Sequence, residues 1–109
     1  MATVLGAEGR DESAAMKAVW SPRAIRHLTA LREHIARDSA QNAAAVAERI
    51  LRAIEVLKTQ PGMGRPGRVA GTRELVISSA GLIVPYRVRD GGLEIIAVFH
   101  GRQRWPDAL

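Results

Sequence analysis

"TRELVISSAGLIVPYRVRDGGLEIIAVFH", from Thr72 to His100, holds three apolar runs divided by two turn signals. Val, Ile, Tyr and Phe recur in the runs, and such side chains fit a pleated, half-buried surface. "TRELVIS" alternates, Ser79-Ala80-Gly81 turns the chain, and "LIVPYRV" follows. Asp90-Gly91-Gly92 then leads into "LEIIAVFH". Asp-Gly between apolar runs signals a tight hairpin, whose central residues need positive φ. Three consecutive strands of a mainly antiparallel sheet are expected. Pro85 is the odd member: it gives no N–H to a ladder and belongs at an edge or a bulge.

Upstream, the apolar period changes from two residues to about 3.6. Ser21 is the expected N-cap of a first helix, with Pro22 at its first position. Ile25, Leu28, Leu31 and Ile35 form its apolar stripe to about Arg37. Asp38 and Gln41 fit a capping box that opens a second helix. Its buried stripe is Ala43, Val46, Ala47, Ile50, Ile54 and Leu57, with Glu48, Arg49, Arg52 and Glu55 facing out. Gln60-Pro61-Gly62 ends it. Two amphipathic helices on a very short link pair as an antiparallel hairpin. "MKAVW", from Met16, reads as a strand before them.

The order is therefore β-α-α-β-β-β, an α+β fold with the helical hairpin packed on one face of a small, mainly antiparallel sheet. It occupies residues 16–109. Residues 1–15, "MATVLGAEGRDESAA", show no periodic pattern and read as a flexible tail, with Met16 a candidate alternative start.

At 109 residues the chain supports one modest core. It has no cysteine, which excludes disulfides and thiolate metal sites and fits a reducing cytoplasm. No apolar stretch is long enough to span a bilayer, and the N-terminus lacks a secretory pattern, so no membrane partner is expected. The formal charge is +5, and Lys17 and Lys58 are the only lysines. An arginine excess suits bidentate contacts to carboxylate or phosphate, and so to an acidic protein, a ribosome or nucleic acid.

"GMGRPG", Gly62 to Gly67, satisfies G-x-G-x-x-G but follows a helix and precedes a strand. A dinucleotide fingerprint needs the reverse order, and Pro66 lacks an amide donor. It reads as a connecting loop, and no cofactor is expected. His27 and His34 share a helix face but stand about 10 Å apart at 1.5 Å rise per residue, too far for one metal ion. They read as ordinary surface histidines, and no metal is expected. His100 differs. It ends the last strand next to Arg102 and Arg104, with Arg87 and Arg89 at the end of the neighbouring strand. An imidazole among guanidiniums could do acid–base work on a phosphodiester and stabilise its charge. The plainer reading is a histidine hydrogen-bonded at the sheet end among solvated arginines.

Taken together, "MKAVWSPRAIRHL", "LKTQPGMGRPG", "LIVPYRV" and "IIAVFHGRQRWP" resemble the RelE/ParE-family toxins of bacterial type II toxin–antitoxin pairs. The resemblance spans Met16 to Pro106 and implies the same β-α-α-β-β-β fold. The ribosome-dependent mRNA nucleases of that family carry basic residues on the strand matching "TRELVIS" and an arginine on the next strand. Glu74, Val76 and Ile83 occupy those slots, and none can serve as a general-base lysine or a phosphate clamp. The terminal arginine is kept as Arg102, but Trp105-Pro106 stands where those nucleases place a tyrosine. Phe99-His100-Gly101-Arg102 and Gly64-Arg65-Pro66 are closer to the ParE branch, whose toxins bind DNA gyrase.

The resemblance thus implies a cytoplasmic toxin that inhibits gyrase by protein–protein binding and is neutralised by a cognate antitoxin in a hetero-oligomer. Target-binding residues on this reading are His100, Arg102, Arg104 and Trp105; the antitoxin contacts are not assigned. Direct DNA binding by the toxin alone is not expected. The alternative is an endoribonuclease acting on ribosome-bound mRNA through His100, Arg87 and Arg102. A non-toxic, basic nucleic-acid-binding module is the third reading.

Overall fold

The computed structural model describes residues 16–101 and Trp105. The tail reading for residues 1–15 lies outside them. Strand β1 (Lys17–Trp20) leads into helix α1 (Pro22–Ala36) and helix α2 (Ala40–Thr59). The strands β2 (Arg65–Pro66), β3 (Arg73–Ile77), β4 (Leu82–Arg89), β5 (Gly92–Ile95) and β6 (Phe99–His100) follow. The sheet order is β1-β5-β4-β3-β2, and β6 pairs with β4 beyond the end of β5. β1 runs parallel to β5, and every other pairing is antiparallel. The expected α+β architecture holds.

Both helices begin on a serine. Ser21 Oγ accepts from the Ala24 amide at 3.0 Å, and Pro22 supplies the pre-set φ of the first turn. For α2 the cap is Ser39, which accepts from the Asn42 amide at 3.1 Å. The expected Asp38 cap is corrected by one residue. The amides of Asp38 and Ser39 both still donate to the Ile35 carbonyl, so the chain turns into α2 only after them. The α1 stripe also shifts. Ala24 is fully buried while Ile25 is 53% exposed. Ser21 ties the first turn closely to the sheet through Ile95 and Ile96, and that approach suits a methyl group. Ile50, Ile54 and Leu57 of α2 pack with Leu75, Ile77, Leu82, Val84, Leu93 and Ile95 to form the core, as their spacing predicts.

Pro85 lies in β4, a central strand, and the bulge expectation explains it. Three residue steps on β4, from Tyr86 to Ile83, face four on the opposing chain, from Ile95 to Phe99. One extra residue is therefore accommodated where β5 gives way to β6. The Pro85 carbonyl accepts from the Ile96 amide at 2.9 Å, so its missing N–H faces this irregular stretch. At the other end of β4, Asp90 and Gly91 take φ of 53° and 74°, as an Asp-Gly hairpin turn requires.

The loop after α2 contains the two-residue strand β2, a finer detail than the expected plain loop. Arg65 pairs with Glu74 and Pro66 with Arg73 at the sheet edge. Tyr86 anchors the loop from the core side: its hydroxyl donates to the Pro61 carbonyl at 2.6 Å and accepts from the Gly64 amide at 2.9 Å. Burial raises the pKa of this phenol above its ordinary value. A Cβ on Gly64 would come within 2.5 Å of the tyrosine oxygen, so close packing explains that glycine without any phosphate. Among the described residues, no helix is long and apolar enough to cross a membrane.

Candidate functional site

Leu75, Val84 and Tyr86 point into the core. Alternation then puts Glu74, Val76, Ile83, Pro85 and Arg87 on the opposite face of the sheet. The register brings the first four together: Glu74 lies opposite Pro85, Val76 opposite Ile83, and Ile83 opposite Phe99. This outer face is the candidate site.

Glu74 is only 3% exposed, and a buried carboxylate is costly unless donors surround it. Arg65 donates Nε and Nη2 to its Oε1 at 3.0 and 2.9 Å. Arg68 donates its backbone amide and Nε to Oε2 at 2.9 and 3.2 Å. Burial pushes the carboxyl up, but the Arg68 amide and the two guanidiniums together outweigh it and hold the group below its ordinary value. The same Arg68 lies over Trp105, 3.5 Å from the ring centroid. Trp105 packs on Phe99 with centroids 4.4 Å apart, and Phe99 meets His27 at 5.2 Å. Ile96, Ala97 and Phe99 form a small buried cluster of their own beneath the half-buried Trp105.

His27 closes the stack for a backbone reason. β1 ends at Trp20, opposite Ile95, so among the described residues no strand pairs with residues 96 to 98 on that flank. An open edge leaves amides and carbonyls to be satisfied in some other way. The Ser21 amide donates to the Ile95 carbonyl, Ser21 Oγ donates to the Ile96 carbonyl at 2.7 Å, and the Val98 amide donates to His27 Nδ1 at 3.1 Å. Burial, then the Arg23 and Arg26 charges, hold the imidazole below its ordinary pKa, and a neutral ring is what accepting at Nδ1 needs. The reading of His27 as an ordinary surface histidine is thus corrected. Its sequence signal was its place among Ala24, Leu28 and Leu31, on the buried side of α1.

The residues singled out for catalysis do not all converge. His100 is exposed and pairs with Leu82 at the start of β4. Arg87 lies five positions farther along the same strand, about 17 Å away at roughly 3.4 Å per residue. The expected neighbourhood of His100 with Arg87 and Arg89 is corrected: antiparallel pairing puts them at opposite ends of β4. Arg87 instead donates Nε to Glu94 at 2.6 Å, with Arg89 at 3.4 Å from the same oxygen. The hydrogen bond from Arg87, aided by the charges of Arg87 and Arg89 and opposed by burial, lowers the Glu94 pKa. Arg102 and Arg104 lie outside the described residues.

With this geometry in place, similarity to known proteins defines the class. The sequence signature described as the ParE toxin of type II toxin–antitoxin system, parDE, matches residues 18–105. Y4kP of Sinorhizobium fredii is 43% identical over 91 residues, covering 83% of this chain and 93% of that protein. The fold is that of the chromosomal ParDE toxin–antitoxin system of P. aeruginosa: TM-score 0.71, 23% identity, with 80% of this chain and 97% of the other covered. The RelBE2 toxin–antitoxin complex of Mycobacterium tuberculosis aligns with TM-score 0.56 and 25% identity over 79% of this chain and 98% of that one. The isolated E. coli RelE toxin aligns with TM-score 0.53 and 13% identity over 83% and 88%. The chain belongs to the ParE toxin family. It is a type II toxin–antitoxin toxin of ParE/RelE type.

Proposed function

We propose that this toxin acts in the cytoplasm by binding DNA gyrase, and that a cognate antitoxin neutralises it by direct association. The observation that carries the gyrase reading is the outer face of the sheet. Glu74, Val76 and Ile83, the slots where the mRNA nucleases of the family place basic groups, meet there as one engaged carboxylate and two aliphatic side chains. Such a face has little to offer a scissile phosphate and more to offer a protein surface. The distance between His100 and Arg87 weighs the same way, because acid–base chemistry and charge stabilisation must act on one phosphate. His100, Arg102, Arg104 and Trp105 remain the proposed target-binding set. Antitoxin association is supported by the solved relatives, which include complexes of toxin with antitoxin.

Induction in growing bacteria tests the target. A gyrase inhibitor gives filamentation and DNA-damage signalling while protein synthesis continues at first. Arrest of protein synthesis within minutes, with cut messenger on the ribosomes, would favour the nuclease reading instead.

A further inference from the structure

A cleft of 280 Å³ opens where α1 begins, on the side of β4 and β5 that carries Arg87 and Glu94. Arg23, Arg26 and Arg87 line it against a single carboxylate, Glu94. Arg87 and Arg89 both bind Oε1 of Glu94, and among the described residues no hydrogen bond joins Glu94 to Arg23 or Arg26. The Nη1 of Arg23 is buried and has no hydrogen-bond partner among the described residues. A buried guanidinium nitrogen of this kind calls for an acceptor. α1 is fifteen residues long with no acidic side chain in its first turn, so its dipole adds to the positive potential. The helix amides themselves contribute little: Pro22 has none, Ala24 donates to Ser21 Oγ, and Ile25 donates to the Ser21 carbonyl. The recognition groups are the guanidiniums.

We propose that this cleft receives an acidic side chain of a protein partner, with Arg23 and Arg26 as the binding residues and Arg87 beside them. A carboxylate fits better than a nucleic-acid phosphate for two reasons. Glu94 on the cleft wall repels a phosphate group, with its spread charge and flanking phosphates, more than one carboxylate. A phosphate backbone also needs a row of available cations, whereas Arg65 and Arg68 are engaged by Glu74 and Arg87 and Arg89 by Glu94. Ile96 and Pro22 in the lining suit the methylenes of a glutamate. The partner of choice is the antitoxin, and that assignment rests on the function proposed above.

The test uses the full chain and three probes: hexaglutamate peptide, hexathymidylate and inorganic phosphate. Hexaglutamate is expected to shift the Nε–Hε resonances of Arg23 and Arg26. Arg26→Met, and Arg23→Met with Arg26→Met, should weaken that binding about tenfold, as loss of charge-assisted bonds does. Arg49→Met with Arg52→Met, an equal charge change on the exposed side of α2, should not. Arg26 is exposed, so its single variant keeps the test valid if the double variant unfolds. Equal losses in the α2 control would reduce the cleft to diffuse attraction, and tighter binding of hexathymidylate or phosphate would make it a phosphate site; either overturns the proposal. The protein from the adjacent reading frame gives a separate arm, expected to lose about tenfold on the double variant. If it binds the wild type and the variant equally, the acidic-partner assignment fails. If it does not bind the wild type at all, the antitoxin reading fails, and the peptide arm alone decides the cleft.

Discussion

Arg68 holds Glu74 and Trp105 at once: its Nε and amide bind the carboxylate while its guanidinium lies 3.5 Å from the indole centroid. The loop before β3 and the segment after β6 are joined through this one side chain, across the outer face of the sheet. A residue expected to meet the target therefore also packs its own protein.

Trp105→Ala should lower stability by about 1–3 kcal/mol, the range for removing a large, half-buried apolar side chain and a cation–π contact. Trp105→Phe should recover most of the loss. Urea unfolding of both variants checks this. Unchanged stability with lost toxicity would assign Trp105 to the target interface alone.

Glu74→Gln keeps the shape of the side chain and removes the charge that two guanidiniums and an amide address. A loss of about 1–3 kcal/mol is expected. The folded-state pKa lies below the ordinary 4.5. Its contribution is therefore fully present above pH 4.5 and is lost as pH falls through the folded value. The variant should lack this part of the acid slope. Thermal melts from pH 6 to 3 on both proteins measure the difference.

His27→Ala leaves the buried Val98 amide without its acceptor, at a cost of about 1–3 kcal/mol. His27→Asn can offer an oxygen near the Nδ1 position and should cost less. The imidazole pKa is depressed below 6.5 on folding, so its contribution is complete above pH 6.5 and declines as pH falls through the folded value. His27→Asn should flatten that part of the stability profile. An identical slope in wild type and variant would remove His27 from the account.

The sequence carried the elements and their order because each has a local cause: Ser-Pro for α1, Asp90-Gly91 for the hairpin, and alternation for β3 and β4. Pro85 even marked the bulge, since a missing N–H must face somewhere a ladder is broken. The pairing partners were not legible. That β1 stops opposite Ile95, and that His27 and Ser21 then satisfy the open flank of residues 96 to 98, depends on strand length in three dimensions. The Arg65–Glu74–Arg68 cluster was hidden for a similar reason, because "TRELVIS" gives no sign that its glutamate is buried. The direction of β4 decided the site. Antiparallel pairing separates His100 from Arg87, and adjacency in the linear reading could not reveal it.

His100→Gln separates docking from acid–base chemistry. A binding surface that loses one hydrogen bond should weaken by about 1 kcal/mol and remain toxic when overproduced. A nuclease that loses its general acid or base should drop by roughly 10²–10⁴-fold. Growth arrest at matched expression measures which occurs, and persistence of toxicity is expected.

The most direct measurement is DNA supercoiling by gyrase in the presence of the purified toxin, run beside messenger-programmed ribosomes with the same preparation. Inhibition of gyrase with intact messenger is predicted. Unimpaired gyrase together with messenger cleavage that disappears in His100→Gln would contradict the account.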